Sequence, residues 1–341
     1  MRPFIRRWLS RRLRGAVYGA FAAALSGFAC QGALAQAPAA ALPPSGYPAK
    51  PVRFVNNFPP GGPSDLLARS VSEYLTAQTR QPFVTENRAG ASGNIGAAAV
   101  AQSTPDGHTV LFGIDTTFTV NPHIYPQTGF RPQDLRPLMI IASSGLLVGV
   151  HPGTGIKSLR DLIAAGKSRT LNFSSGGNGS PGHLATQIFI DAMGVKIQHV
   201  PYKGNTPAVT AVAAGEVDGG VLATPGMLPQ VRAGRIAALA VTSRERSRAA
   251  PELPTVAEAG LAEMQIEVLY GAWIPAATPE PIMQWLQVAF AEAMRRPETQ
   301  AQLERLDLFY AGITGADAAQ RLSETSARYA RIIRATNMKV E

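Results

Sequence analysis

Residues 170–223 have the sequence TLNFSSGGNGSPGHLATQIFIDAMGVKIQHVPYKGNTPAVTAVAAGEVDGGVLA, in which three short apolar runs alternate with two amphipathic helical patterns. This pattern predicts strands at 170–174, 197–201 and 218–223 and helices at 182–193 and 206–214. Strands that alternate with helices favour a parallel sheet whose connections are right-handed crossovers. The stretch therefore predicts an α/β fold.

The same alternation continues toward both ends of the chain and divides into two series. The first series predicts strands at 52–58, 82–86 and 109–114, helices at 64–79 and 95–102, and separate apolar runs at 137–142 and 146–150. The second series restarts after His151 with a helix at 158–165, and it ends with a helix at 226–233 and a strand at 236–242. A strand-like run at 265–274 and helices at 279–295 and 316–334 complete the chain.

Two series of this kind predict two lobes, with two mixed or parallel sheets flanked by helices. Lobe 1 is expected to comprise residues 47–148 and 271–341, because the terminal helices can carry the chain back to the first sheet. Lobe 2 is expected to comprise residues 149–270. Small ligands prefer clefts between domains, so the expected site lies between the lobes.

Charge is concentrated in one short segment. The 341 residues carry 32 Lys and Arg against 23 Asp and Glu, a net charge of +9. Six of the arginines lie within residues 1–14, and residues 1–35 contain no acid, so the rest of the chain carries 26 minus 23, or +3. With 7% aromatic residues and no later basic run, both components of a nucleic-acid groove are weak. No nucleic-acid partner is expected.

The N-terminal segment has the layout of a secretory signal peptide. The arginines precede an apolar stretch at 15–29, and Ala33-Leu34-Ala35 is a small-x-small cleavage site. A membrane anchor would need about 20 apolar residues, and this run is shorter. We expect cleavage after Ala35, a flexible Ala/Pro-rich leader at 36–46 and a periplasmic location. Cys30 is the only cysteine, so the mature chain has no disulfide and no cysteine nucleophile.

The first candidate ligand-binding loop spans residues 57–65 and joins a strand to a helix. It contains Phe58, Gly61 and Gly62, and either Ser64 or Asp65 can cap the helix that follows. Glycines leave the backbone N–H groups accessible at the positive end of the helix, where an anion is stabilised without a cationic side chain. An ordinary strand-to-helix turn is an equally good interpretation of this loop alone.

The second candidate loop spans residues 174–183 and contains Ser174, Ser175, Asn178 and Ser180. Its glycines satisfy G-x-G-x-x-G, but no acid follows the next strand to hold a ribose, so a dinucleotide site is not expected. An esterase elbow also fails, because Asn178 stands where G-x-S-x-G requires glycine before Ser180. A second helix N-terminus that accepts an anion is the interpretation that remains.

Other candidates lie on neighbouring loops. Tyr202 is placed either to stack on or hydrogen-bond a ligand or to pack within the protein, and both interpretations are equally good. Thr206 is placed to cap a third helix, and Thr117 to donate a hydroxyl to the cleft. The five histidines are well separated, and none has a metal-ligand spacing. Neither a metal site nor a cofactor is expected.

Five motifs, in order along the chain, resemble the Bug-type receptors of tripartite tricarboxylate transporters. They are PPGGPSDLLA within 54–68, ENRAGASGNIGAAAVAQSTPDGHTVLFG at 86–113, LNFSSGGNGSPGHLA at 171–185, HVPYKGNTPAVTAVAAGEVDGG at 199–220 and LAVTSRERSRAAPELPTVAEAG at 239–260. The likeness extends from about Tyr47 to Arg334.

The resemblance implies a two-lobed periplasmic binding protein, similar to type II, that closes on a small organic solute. In that family the loops before two opposing helices hold a carboxylate, and here those loops are 58–65 and 174–180. Pro63 departs from the commoner hydroxyl or glycine and removes one backbone donor. Asp115 also departs from the family pattern, and it is expected either to bind a basic or amide group of the ligand or to cap its own loop.

These observations predict a solute receptor that binds a small organic acid and delivers it to the membrane subunits of a tripartite transporter. We expect a monomer and no enzyme activity. Two alternatives remain at this point: a periplasmic α/β hydrolase, which would need a nucleophile with a base, and a sensor module that presents solute to a membrane kinase.

Overall fold

The computed structural model describes residues 42–336 and 338–339. The expected signal peptide at 1–35 and most of the leader at 36–46 lie outside these residues. The strands are β1 (Val52–Asn56), β2 (Phe83–Asn87), β3 (Thr109–Ile114), β4 (Leu135–Val150), β5 (Leu171–Ser175), β6 (Ile197–Pro201), β7 (Gly219–Ala223), β8 (Ala237–Val241), β9 (Glu267–Pro275) and β10 (Phe309–Thr314).

Helices separate most of these strands, which confirms the predicted α/β class. They are α1 (Pro63–Thr79), α2 (Asn94–Ala101), α3 (Thr116–Thr119), α4 (Asn121–Ile124), α5 (Leu159–Ser168), α6 (Pro181–Met193), α7 (Asn205–Ala214), α8 (Thr224–Arg232), α9 (Glu280–Arg295), α10 (Pro297–Arg305) and α11 (Gly315–Ala335). The sequence patterns did not predict α3, α4, α10 or β10.

The strands form one continuous path in the order β2-β1-β3-β9-β4-β7-β5-β6, with β8 and β10 also paired to β4. Both ends of the path are parallel: β1 pairs with β2 and β3, and β5 pairs with β6 and β7. The strands in the middle, β9 and β4, run antiparallel to their neighbours. The result is the predicted mixed topology.

Strand β4 belongs to both halves of the path. Its residues 135–145 pair with β9, whereas residues 146–150 pair with β7 and β8. The sequence predicted two separate runs here, and that prediction was wrong. Ser144 interrupts the apolar pattern but is fully buried, because its hydroxyl is hydrogen-bonded to the Tyr270 hydroxyl at 3.2 Å. A satisfied polar side chain therefore lets one strand continue through both halves of the path.

The core explains why the terminal helices return to the first sheet. Phe290 of α9 packs against Phe54 of β1 and Phe112 of β3, with ring centroids 5.7 and 5.5 Å apart. Burying each such ring contributes about 1.5–3 kcal/mol. This packing places α9 against β1 and β3, so the loop at the carboxyl end of each strand is held by a rigid layer.

Candidate ligand-binding site

The N-termini of three helices meet at one cavity of about 150 Å³. In parallel strand-to-helix units each helix begins at the carboxyl end of the preceding strand, so the loops after β1, β5 and β6 approach the same region. The lining residues from these loops are Phe58, Pro59, Pro60, Gly62, Pro63 and Ser64 before and within α1, Gly176, Ser180, Pro181 and Gly182 at α6, and Lys203, Gly204, Asn205, Thr206 and Pro207 at α7.

The N-terminus of α1 offers unused donors. Gly62 is the N-cap residue, and no side chain caps the helix. Pro63 has no N–H, so the first donors are the backbone N–H groups of Gly62 and Ser64. The Ser64 hydroxyl is almost buried and has no hydrogen-bond partner among the described residues. These three groups are available to an anion.

The other two N-termini differ in how they are capped. At α6, Ser180 is the N-cap residue, and its hydroxyl accepts a hydrogen bond from the His183 N–H at 3.3 Å. At α7, Gly204 is the N-cap residue and provides no side-chain cap. The predicted cap role of Thr206 was wrong, because α7 begins one residue earlier and Thr206 lies in its first turn. Thr206 still lines the cavity.

Asp65 and Gly61 stabilise the first loop but do not line the cavity. The Asp65 carboxylate accepts hydrogen bonds from the Gly61 N–H, Arg69 Nε and Asn87 Nδ2, each at 3.0 Å. Burial by itself raises the pKa of Asp65, but these hydrogen bonds outweigh it and hold the pKa below its ordinary value. The ionised carboxylate therefore fixes the shape of the loop that carries Phe58 and Ser64.

Thr117 and Ser174 are fully buried and bond to the protein. The Thr117 hydroxyl accepts a hydrogen bond from Asn57 Nδ2 at 3.2 Å and donates to the Ser92 carbonyl at 3.3 Å. The Ser174 hydroxyl donates to the Ala208 carbonyl at 3.1 Å. Neither residue lines the cavity, so both hold the surrounding loops in place.

Ser175 contacts a pair of stacked histidines that no sequence spacing indicated. Its buried hydroxyl lies 2.5 Å from His199 Nε2. The rings of His199 and His183 are parallel, with centroids 3.8 Å apart, and His183 Nδ1 accepts the Gly179 N–H at 3.2 Å. Burial lowers the pKa of both histidines, and the proximity of His199 lowers that of His183 further. The pair therefore braces the glycine-rich loop in its neutral form.

We expect this histidine pair to make the protein less stable at low pH. A histidine whose pKa is lowered in the folded state stabilises the protein fully above its unfolded pKa of 6.5, and that stability is lost as the pH falls below it. Between about pH 7 and about pH 5 the pair should contribute a loss of about 4 kcal/mol to the free energy of unfolding, about 2 kcal/mol for each histidine. His199→Gln should remove roughly half of this loss in urea unfolding. His151→Gln, outside the pair, should leave it unchanged, and an equal loss in both variants would contradict the assignment.

A second, outer cavity of about 560 Å³ adjoins the first. It is lined by Asn178 and Tyr202, two of the predicted residues, and by Ser92 and Tyr125. The Ser92 hydroxyl donates to the Asn178 carbonyl, so the segment that precedes α2 touches the loop at 174–183 beside the outer cavity. Phe58, Pro59, Gly176, Lys203 and Gly204 line both cavities. Among the described residues that line either one, Lys203 is the only charged side chain.

The remaining wall of the inner cavity comes from strands and was not predicted from the sequence. It consists of Ile114, Leu146, Val221, Leu222, Ala223, Val268 and Tyr270. Asn205 was also missed: its Oδ1 accepts the Ala223 N–H at 2.9 Å and ties α7 to the end of β7. The alternating apolar pattern predicts that such residues are buried, but it does not indicate which of them face a cavity.

Asp115 lies behind this wall and not in it. Its Oδ1 accepts the Leu269 N–H at 3.0 Å, which joins the end of β3 to β9. The residue is fully buried, and burial raises its pKa to about 7. Its carboxyl therefore contacts neither cavity and serves the connection between strands.

Within the described ranges 42–336 and 338–339, no three His, Cys, Asp or Glu side chains are grouped closely enough to hold a metal ion. No helix in the same ranges has the length and apolarity needed to cross a bilayer.

The chain is similar to a known family of proteins. Residues 67–338 match the family model "Tripartite tricarboxylate transporter family receptor". The chain is 34% identical over 253 residues to the protein BugT of Bordetella pertussis, covering 73% of this chain and 78% of BugT.

Solved structures with the same fold are also similar in sequence. "R. palustris Rpa4515 with adipate" has a TM-score of 0.81 and 31% identity, covering 86% of this chain and 99% of that one. The periplasmic binding protein BugD has a TM-score of 0.79 and 26% identity, covering 86% of this chain and 100% of BugD. With a family model that spans most of its length, the chain belongs to the receptors of the tripartite tricarboxylate transporter family.

Proposed function

We propose that this receptor binds a small organic carboxylate in the inner cavity and delivers it to the membrane subunits of a tripartite transporter. The observation that carries the proposal is the convergence of three helix N-termini on one cavity, with uncapped donors at α1 and α7. Each N-terminus carries about half a positive charge, so a carboxylate is stabilised without an arginine. The relative solved with adipate supports this ligand class.

A binding role agrees with the cavity better than hydrolysis does. A hydrolase needs a nucleophile within reach of both a base and the substrate. Ser175 and His199 are in contact, but neither lines the inner or the outer cavity, and Ser175 has no exposed surface. We therefore propose a receptor without enzyme activity or cofactor that acts as a monomer.

Two expectations from the sequence become part of the proposal. One is export, with a mature chain that begins at Gln36 in the periplasm. The other is closure of two lobes, 47–148 with 271–341 and 149–270, around the ligand. The change of partners within β4 supports a boundary in this region, since residues 135–145 pair with β9 and residues 146–150 with β7 and β8.

Four measurements together test the proposal. Protein purified from the periplasm should have the intact mass of residues 36–341. Calorimetry against a panel of small organic acids should find a carboxylate that binds while its amide does not. Scattering should give a smaller radius of gyration at saturation, and deletion of the gene should abolish uptake of the same acid. Turnover of the acid, or equal binding of acid and amide, would contradict the proposal.

A further inference from the structure

The inner cavity has a polar part and an apolar part. We propose that it selects monocarboxylates with an apolar body and discriminates against dicarboxylates. This inference rests on the proposed function and narrows the class of ligand. It also separates this chain from the relative solved with adipate, which is a dicarboxylate.

The apolar part is the strand wall, defined by Ile114, Leu146, Val221, Leu222, Ala223, Val268 and Tyr270. All these side chains except that of Tyr270 are aliphatic and offer no hydrogen-bond donor. A carboxylate that leaves water must be paired or hydrogen-bonded, because an isolated buried charge is strongly unfavourable. The aliphatic wall favours a hydrocarbon part of the ligand.

The one polar side chain of the wall is hydrogen-bonded within the protein and carries no charge. The hydroxyl of Tyr270 is paired with that of Ser144 at 3.2 Å, and both residues are buried. Burial raises the pKa of Tyr270 to about 12, so the hydroxyl stays neutral. It therefore supplies no charge to balance a second carboxylate.

A buried ionisable group behind the wall is an acid, Asp115. Asp115 directly follows the wall residue Ile114, and its Oδ1 is 3.0 Å from the N–H of Leu269, which lies between the wall residues Val268 and Tyr270. A carboxylate against this part of the wall would meet a second acid, whose pKa burial already raises to about 7. The cation that acts on Asp115 is Arg321, and it is paired with Glu267 at 3.5 Å. Like charges at short range disfavour each other, most strongly where water is excluded.

The positively charged side chain that lines the site belongs to a loop and not to the strand wall. Lys203 is exposed on the turn before α7, and it lines both the inner and the outer cavity. Its ammonium group can attract anions toward the entrance. It is not part of the strand wall, so it cannot pair with a charge that faces Val268 or Leu146.

The volume of the cavity limits the apolar body. A cavity of about 150 Å³ lined by apolar side chains is large enough for benzene. Hexanoate and benzoate have bodies of this size, and each carries one carboxylate for the helix N-termini. Their dicarboxylate counterparts, adipate and terephthalate, add a second charge to a similar body.

Calorimetry on the two pairs tests the proposal. For the wild-type protein we expect hexanoate and benzoate to bind at least about 100-fold more tightly than adipate and terephthalate, which corresponds to the loss of one or more hydrogen-bonded charge contacts. Dicarboxylates that bind as tightly as the monocarboxylates would overturn this inference and leave the proposed function standing. Failure of all four acids would overturn this inference alone, because the panel can still identify another carboxylate. Equal binding of hexanol and hexanoate would overturn both.

Val268→Thr identifies the wall as the cause, because threonine has nearly the shape of valine but adds a hydroxyl. It should weaken the binding of hexanoate several-fold. It should also reduce the ratio of hexanoate affinity to adipate affinity by about fivefold. Val288→Thr makes the same change on the exposed face of α9 and should leave the ratio unaltered. A ratio that stays at the wild-type value in Val268→Thr would overturn the role of the wall.

Lys203→Ala tests whether the second carboxylate of a dicarboxylate binds near Lys203 or at the strand wall. If the second carboxylate of a dicarboxylate were held at the entrance, adipate would bind the wild-type protein well and lose most of its affinity in this variant, and that result would overturn the proposal. We expect both acids to lose affinity by only a small factor, somewhat larger for adipate, since a surface cation attracts each of its two charges.

Discussion

Ser64→Asp is expected to weaken carboxylate binding by about a thousandfold. Ser64 lies in the first turn of α1 and lines the inner cavity, and its hydroxyl has no partner among the described residues. A new carboxylate about 4 Å from the ligand, at an effective dielectric constant near 20, costs about 4 kcal/mol. That free energy corresponds to roughly three powers of ten in the dissociation constant. Calorimetry with the best acid from the panel measures it.

Ser64→Asn is the matched control, because asparagine has the shape of aspartate without its charge. It should lose no more than about tenfold in affinity, through altered shape and hydrogen bonding alone. A stability measurement distinguishes charge repulsion of the ligand from damage to the fold, since an acid in the first turn stabilises a helix by about 0.3–1 kcal/mol. Ser64→Asp should therefore be at least as stable to urea as the wild type. Equal affinities of the two variants would remove the α1 terminus from the site.

Gly182→Ala is expected to have the largest effect on stability. Gly182 lies in the first turn of α6, and a Cβ atom there would stand 2.1 Å from the backbone carbonyl oxygen of Val221 in β7. Backbone cannot move aside as a flexible side chain can, so α6 must shift away from β7. We expect a loss of about 3 kcal/mol in the free energy of unfolding, at the upper end for an overpacked position. Urea unfolding followed by circular dichroism measures it.

Gly62→Ala provides the contrast at the facing helix N-terminus. Gly62 has φ −79°, and a Cβ atom would have its nearest neighbour, the Pro59 carbonyl oxygen, at 3.6 Å. Both conditions suit alanine, so stability should change by less than about 1 kcal/mol. Close packing therefore requires glycine at position 182, whereas the fold tolerates a Cβ atom at position 62. A stable Gly182→Ala protein with unaltered binding would mean that α6 does not pack closely on β7.

Much of the fold was predictable because it depends on local patterns. The alternation of apolar runs and helical patterns places most of the strands and helices of residues 52–241 within a few residues of their observed bounds. Strand β4 was divided wrongly, because Ser143, Ser144 and Gly145 look like a turn when their partners are unknown. The hydroxyl of Tyr270, 126 positions away, satisfies Ser144 and removes the reason for a break.

The site was only partly predictable, for the same reason. Loop position identified Phe58, Gly62, Ser64, Ser180 and Thr206, all of which line the inner cavity. The same reasoning could not distinguish them from Ser174, Ser175 and Thr117, whose hydroxyls are hydrogen-bonded within the protein. Ser174 bonds to Ala208, Ser175 to His199, and Thr117 to Asn57 and Ser92. Residue type and loop position are equal in the two groups, and only the partner brought near by folding decides the role.

The sequence alone determined the α/β class, the helix N-termini that follow the strands, and the family, because these depend on periodicity and on motifs that are contiguous in the chain. Tertiary structure alone decided which donors remain free, which apolar residues form the strand wall, and where Asp115 and the stacked histidines lie. These features join residues that are far apart in the chain, so their energies depend on distances and burial that no local pattern contains.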